Sequence, residues 1–423
     1  MSTSLATQLS NFLNQLPKIH NIWIAYSGGV DSHVLLHLLA QQQSALHAVH
    51  IHHGLQGQAD DWAQHCAQVC QQLQVEFHLI HVNIDTDSGQ SIEALARDAR
   101  YQAIQNLMSE NDIVLTAQHA DDQAETLLLQ LFRGAGVAGL AAMPHLIPFG
   151  QGWLGRPFLE CTRQHIVDYA QTRQLQWVED DSNCDTRFDR NFLRHNIMPV
   201  LSQRWTHINQ TLGRAAQNQA EANTLLQELA EQDLQICRQT QGLNISTLQK
   251  FSVTRQRNVI RYWLKSKQFI MPSRLHLQQI LTECIQAKPD AQPLIKWSNV
   301  EIRRYQNILF AMFALPAQPI EQVLDWDLQT DLDLPLGQLQ VIISEQQNHP
   351  IQGSVQVRFR QGGEKLYLRG HARSVKKLLQ QSCIAPWLRP FIPLIYIDDQ
   401  LIAIPELGID ERMSIEQRFI WVI

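Results

Sequence analysis

The chain has 423 residues, of which 44% are hydrophobic, and carries a net charge of −6. That length exceeds one ordinary core and calls for two or three domains. No apolar run reaches membrane-spanning length, the N-terminus lacks a signal-peptide pattern, and seven scattered cysteines make no disulfide framework, so a reduced cytoplasmic protein with no membrane partner is expected.

The first 130 residues alternate in type. Ile22-Trp23-Ile24-Ala25-Tyr26 is a short β-prone stretch, and His33 to Leu39 is apolar at helical spacing. Strands are predicted over 46–52, 75–82 and 112–116, with helices over 60–73, 91–108 and 121–132. This alternation implies an α/β fold: a Rossmann-like parallel sheet with helices on both faces. Ligands of such sheets lie beyond the carboxyl ends of the strands. Glycine and proline cluster over 134–157, which reads as a loop region, and a helix is predicted near 162–174. Residues 180–199 are polar and then basic. A long helix over 208–239 opens a mainly helical domain expected to span 206–320. Residues 315–337 read as a linker or edge hairpin. Strand-like runs at 355–360, 394–397 and 401–405, with a helix at 374–381, make a small α+β domain over 321–423. The domain expected to hold the chemistry is 1–205.

Between the first strand and its helix stands Ser27-Gly28-Gly29-Val30-Asp31-Ser32. Two glycines ringed by hydroxyls at such a turn make a phosphate cradle. The glycines let the backbone approach an anion, and the helix start offers unpaired N–H groups. Neither G-x-x-x-x-G-K-[ST] nor G-x-G-x-x-G fits this segment. The bland alternative is a glycine turn with Asp31 or Ser32 near a helix cap. Asp121, Asp122 and Glu125 open a helix at a spacing that lets their carboxylates share a face. They suit Mg²⁺ or an ammonium group, or simply a helix start. Arg133-Gly134-Ala135-Gly136 reads as an anion wrap, a helix stop, or both. Arg97 and Arg100, one turn apart, are either a solvated face or cations for a polyphosphate. His52 and His53, at the end of the second strand, are expected to flank the nucleotide. His50 and His52 lack the further ligands of a metal site. Cys66 and Cys70 read as buried helix residues.

Charge is unevenly distributed: residues 1–186 sum to −12 and residues 187–423 to +6. Basic stretches lie at 187–214, 251–274 and 355–377, the second with Tyr262 and Trp263 interleaved. Cations with aromatics suit a phosphate backbone and unstacked bases, although any single run is usually a solvated face.

Ser-Gly-Gly-x-Asp-Ser resembles the pyrophosphate loop of the N-type ATP pyrophosphatases. The chain as a whole is similar to the tRNA(Ile)-lysidine synthase family. The similarity rests on Ser27–Ser32, His53-Gly54-Leu55, Ala96–Tyr101, Asp121-Asp122-x-x-Glu125-Thr126, Arg133-Gly134-x-Gly136, Arg156-Pro157 and Glu179-Asp180-Asp181-Ser182-Asn183. It continues through Arg190-Asn191-x-x-Arg194, Pro199, Arg360-x-Gly-Gly-Glu364, Lys376-Lys377-Leu378 and Pro386-Trp387-Leu388-Arg389.

That resemblance implies ligation of free L-lysine to the wobble cytidine of an isoleucine tRNA with a CAU anticodon. The reaction runs through an adenylated cytosine with release of pyrophosphate and AMP. It implies ATP binding by Ser27, Gly28, Gly29, Val30, Asp31, Ser32, His52 and His53, with Asp31 also holding Mg²⁺. Asp121, Asp122, Glu125, Arg97 and Arg100 would serve lysine or catalysis. Arg133, Gly134, Gly136, Arg190, Arg194, Arg360, Arg369, Arg373, Lys376 and Lys377 would contact phosphate or tRNA. Where relatives often carry a histidine, this chain has Gln118, with His119 beside it. The alternatives are a tRNA thiolase on the same fold, disfavoured by the lack of any C-x-x-C, and a non-catalytic tRNA-binding protein.

Overall fold

A computed structural model describes residues 4–42, 45–54, 57–83, 92–179, 184–288, 290–342, 353–413 and 417–422. Leu55 and residues 180–183 of the motif segments lie outside these. The chain divides into two compact units, Met1–Leu226 and Gln227–Ile423, with the boundary inside the long helix Ile208–Cys237.

The first unit is built on a six-stranded sheet. In chain order its strands are β1 (Ile22–Ala25), β2 (Leu46–His52), β3 (Glu76–His81), β4 (Ile113–Leu115), β5 (Leu146–Phe149) and β6 (Gly152–Gly155). Their spatial order is β3-β2-β1-β4-β6-β5, all parallel except the β5–β6 hairpin. The helices are α1 (Leu5–Asn14), α2 (Val30–Ala40), α3 (Ala59–Leu73), α4 (Ile92–Leu107), α5 (Ala120–Phe132) and α6 (Arg163–Thr172). Alternate residues of β1 serve opposite faces, as the strand period requires. Ile22, Ile24 and Tyr26 join a core with Leu9, Leu35 and Ile166. Trp23 joins Val49, Ile104, Val114 and Leu154 in another. The α2 helix is buried on nearly every side, from Val30 to Leu39. After β1 the chain runs outward through β2 and β3, then returns to place β4 on the other side of β1. This reversal is where an open α/β sheet leaves a crevice at its carboxyl edge.

One expectation needs correction. The 134–157 loop region contains the one-turn helix Val137–Leu140 and the β5–β6 hairpin, which extends the sheet. Gly150 at its turn has φ +57°, and a Cβ on Gly152 would meet the Asp112 carbonyl oxygen at 2.0 Å. The glycines are thus strand and turn requirements, and Pro148 is tolerated on the edge strand β5. Residues 206–320 hold more helix than strand, and they also contain a sheet that periodicity does not announce. The second unit carries helices Val253–Ser266 and Arg274–Gln279 and an antiparallel sheet of Leu243–Asn244, Ile308–Phe313, Val300–Tyr305 and Leu294–Trp297. Its turns use Ser298 and Gln306 at positive φ, so no glycine marks them.

The later part of the second unit holds a five-stranded sheet that includes Val355–Arg358, Leu394–Ile397 and Gln400–Ile404, as expected, and the helix Val375–Gln381. The 315–337 segment contributes strands Val323–Asp325 and Leu332–Asp333. No described helix is long and apolar enough to cross a membrane.

Candidate active site

The Ser27–Ser32 loop links β1 to α2 at the carboxyl edge. Gly28 has φ +85°, and a Cβ there would lie 3.0 Å from Cys66 Sγ. Gly29 is the N-cap of α2 and brings no side chain to the cap. Ser27 Oγ and Ser32 Oγ lie 3.1 Å apart, and Ser32 Oγ donates to the Gly29 carbonyl at 3.0 Å. The hydroxyls thus brace the turn, while the first N–H groups of α2 face outward without intrahelical partners.

The first turn of α5 carries the acidic cluster. His119 is its N-cap, and its ring accepts from the Asp122 N–H while the Asp122 carboxylate accepts from the His119 N–H. The buried His119 ring touches three carboxylates. Its Nε2 is 3.3 Å from Asp122 and 3.8 Å from Asp31 of the phosphate loop; its Nδ1 is 3.6 Å from Asp121. Loop and cluster are therefore one site. Gln118 is turned back onto Thr116, whose hydroxyl it accepts.

Glu125, one turn along α5, has only 2% of its side chain exposed. Arg194 donates to it through Nε (2.7 Å) and Nη2 (2.9 Å), and Arg190 through Nε (2.9 Å). Arg194 Nη2 also reaches Asp122 Oδ1 at 3.0 Å. Both arginines were expected at phosphate or tRNA. Here their guanidinium groups pair with the buried Glu125 carboxylate, and each arginine side chain keeps about a quarter of its surface exposed. They sit four residues apart on the helical run Asp189–Phe192 and Leu193–Ile197, so both face α5.

Burial pushes the Asp31 carboxyl up, and the Asp122 charge adds to it, although His119 opposes both. Burial also acts to raise Asp122, but His119, Arg190, Arg194 and the His119 N–H outweigh it and hold it below the usual range. Asp31 Oδ1 is buried with no hydrogen-bond partner. Asp121 accepts from the Arg163 N–H at 3.0 Å and from the Asn209 amide at 2.7 Å, two partners that spacing in the sequence does not announce.

A cleft of about 200 Å³ opens beside the loop, lined by Tyr26, Ser27, His52, His53, Trp62 and Arg100 among others. Burial and then Arg100 bring His53 down to about 4. Arg100 Nη2 lies 3.1 Å from His53 Nε2, so the neutral ring accepts there and carries its proton on Nδ1. That Nδ1 is buried without a partner and offers a donor to a ligand. His52 is held by Asp60 at 3.1 Å and packs on His81. His50 is occupied by the Tyr26 carbonyl at 2.9 Å. A second cavity of about 300 Å³ is lined by Asp121, Glu125, Arg163, Arg194, His195 and others.

Arg97 is exposed over the Tyr101 ring. Arg133 caps α5 and is exposed, Gly134 follows at φ +68°, and Gly136 caps the next turn. In the second unit, Lys376 and Lys377 are exposed on their helix, Arg373 lies in the preceding strand His371–Ser374, and Arg360 lies 3.9 Å from Glu364. Arg369 has φ +53° and its N–H donates to Glu411. A groove of about 680 Å³ there is lined by Arg257, Arg261, Arg274, Leu275, Leu277 and Gln278.

Residues 1–201 match the PP-loop domain family, 243–310 the TilS substrate binding domain and 355–421 the TilS substrate C-terminal domain. The tRNA(Ile)-lysidine synthase of Coxiella burnetii is 41% identical over 409 residues, covering 94% of this chain and 91% of its own. That of Legionella pneumophila strain Lens is 38% identical, covering 92% and 91%. That of Alkalilimnicola ehrlichii is 42% identical, covering 92% and 90%. With a phosphate loop and an acid–arginine cluster joined at one sheet edge, and nearly all of its length aligned with these enzymes, the chain belongs to the tRNA(Ile)-lysidine synthase family.

Proposed function

We propose that this protein uses ATP to join L-lysine to the wobble cytidine of an isoleucine tRNA with a CAU anticodon. The observation that carries this reading is His119, whose ring lies between Asp31 of the phosphate loop and Asp122 of the acidic cluster. A nucleotide held at the loop is thus beside carboxylates suited to an amine.

The N–H groups at the start of α2 and the His53 Nδ1–H bind and orient ATP. The cytosine carbonyl oxygen attacks the α-phosphorus, and the α–β bridging bond breaks to release pyrophosphate. The adenylated carbonyl is a good electrophile because AMP is a good leaving group. The lysine ε-ammonium passes a proton to Asp122, and the amine then attacks that carbon and expels AMP, which keeps the former carbonyl oxygen. The ionised Asp122 accepts the ammonium group and orients it. Glu125, fully engaged by Arg190 and Arg194, is a positioning residue that holds those cations against the site. The cavity lined by Asp121, Glu125, Arg163 and Arg194 carries both signs of charge, as a zwitterionic amino acid requires. The Asp31 oxygen that lacks a hydrogen-bond partner fits Mg²⁺, which when bound would supply neutralisation of phosphate charge. The groove of Arg257, Arg261 and Arg274 suits the tRNA backbone. A cytoplasmic setting accords with these substrates and with the free cysteines.

Incubation with ATP, labelled lysine and the CAU-anticodon tRNA tests the reading. Label is expected in the tRNA, with one AMP formed per lysine joined. ATP cleavage that is independent of lysine and tRNA, or no label transfer, defeats it.

A further inference from the structure

At the opposite end of the strands from the phosphate loop, three side chains converge on one point. His47 is the second residue of β2, Glu76 opens β3, and the two are paired in the parallel ladder. His78 lies two residues beyond Glu76 and so shares its face. His47 Nδ1 is 3.2 Å from one Glu76 oxygen, and His78 Nε2 is 3.3 Å from the other. The two ring nitrogens are 3.4 Å apart. Among the described residues this is the one group of three His, Cys, Asp or Glu side chains with ligand atoms mutually within 4.8 Å.

We propose that His47, Glu76 and His78 form a zinc-class metal site that clips the edge strand β3 to β2. Tetrahedral zinc with bonds of about 2.0–2.1 Å sets neighbouring ligand atoms about 3.3–3.4 Å apart, the separation seen here. Hydrogen bonding alone suits the triangle poorly. An N–H aimed from one ring nitrogen to the other joins the two at 3.4 Å and leaves both Glu76 oxygens, 3.2 and 3.3 Å away, without a proton between them and the rings. A cation between the three groups satisfies them all. Two imidazoles and one carboxylate favour zinc-class ions over Mg²⁺ or Ca²⁺.

The rings are also held in advance of binding. Trp23 stacks on His47 at 4.6 Å and lies against His78 at 4.9 Å. Its indole N–H donates to Asp112 at 3.1 Å, and Asp112, 1% exposed, also accepts from the Asn21 and Ser109 N–H groups. Supporting bonds of this kind fix ligand orientation around a metal. The Glu76 side chain is 62% exposed, which leaves the solvent side open for a fourth ligand. His47 and His52 sit on the same strand, roughly 17 Å apart at 3.3 Å per residue. The site is therefore separate from the nucleotide cleft.

The full chain, stripped by a chelator, is titrated with Zn²⁺ against a chromophoric competitor and with Co²⁺ in the spectrophotometer. One equivalent is expected to bind, with the absorption of a four-coordinate nitrogen–oxygen site and no thiolate charge-transfer band. That equivalent should vanish in His47→Ala/His78→Ala and weaken about ten-fold or more in Glu76→Gln. Chelated Glu76→Gln should melt with the chelated parent, so its loss of affinity does not reflect misfolding. Should the double variant not fold, Glu76→Gln decides. Unchanged stoichiometry and affinity in the variants, or a thiolate band that persists in them, overturns the proposal.

Discussion

Cations near the site of the first unit turn inward, whereas those of the second unit's groove stay outward. Arg190 and Arg194 bracket Glu125 and reach Asp122, so their charge balances buried carboxylates. Arg261 and Arg274 are exposed along a groove, beside Leu275 and Gln278. Not every arginine of the second unit is free in this way. Arg255 pairs with Asp233, and the buried Arg304 donates to the carbonyls of Cys284 and Ala287 at 2.8 and 2.9 Å. Charge summed over a segment therefore overstates what is available to an anion. What counts is whether a carboxylate or carbonyl has already taken the guanidinium.

The sharpest test is Asp122→Asn. Lysine transfer should fall by about 10²–10⁴-fold, as for loss of a proton acceptor, while ATP affinity changes little. Undiminished lysine incorporation would remove Asp122 from the amine site. Arg194→Ala strips Glu125 of two of its three donors. It should lower stability by roughly 2–3 kcal/mol, below the full cost of breaking a buried pair because the Arg194 side chain is a quarter exposed. Urea unfolding measures this, and a loss near zero would mean the inward pairing is not structural. Gly28→Ala must adopt a positive φ close to Cys66 and should cost about 1–2 kcal/mol, with weaker ATP binding by calorimetry.

On the outward side, Arg261→Ala and Arg274→Ala should each weaken tRNA binding a few-fold. Each should reduce the slope of log affinity against log salt by about 1 and leave ATP affinity alone. Equal effects on ATP would break the contrast between the units.

The smallest effect is on pH dependence. Burial and then Arg100 bring His53 down to about 4 in the fold, against an ordinary 6.5. The unfolded chain binds the proton first as pH falls, so this contribution is present above about 6.5 and fades as pH falls towards 4. His53→Gln should flatten that part of the stability curve. Asp122, held below the aspartate range, contributes above that range and loses its effect only as pH drops through its lower folded value.

The alternation of apolar strands and helices, the Ser27–Ser32 loop and the cations after residue 187 are local patterns, and each could be read from the sequence. The β5–β6 hairpin was obscured because its glycines serve close approach rather than an open loop. The sheet at 243–313 was obscured because its turns carry Ser298 and Gln306. Asp121, Asp122 and Glu125 were legible as a cluster, but their different roles were not. Asp121 meets Arg163 and Asn209, and Glu125 meets Arg190 and Arg194, all at least 42 residues away in the chain. His119 was visible only as the neighbour of Gln118.

Periodicity and turn chemistry act over a few residues, so the sequence by itself determined the α/β class, the phosphate loop and the sheet edge where chemistry belongs. Only the tertiary structure decided which charges are paired and which are open. Burial and long-range contact set the protonation and reach of an ionisable group, and neither is a property of its near neighbours in the chain.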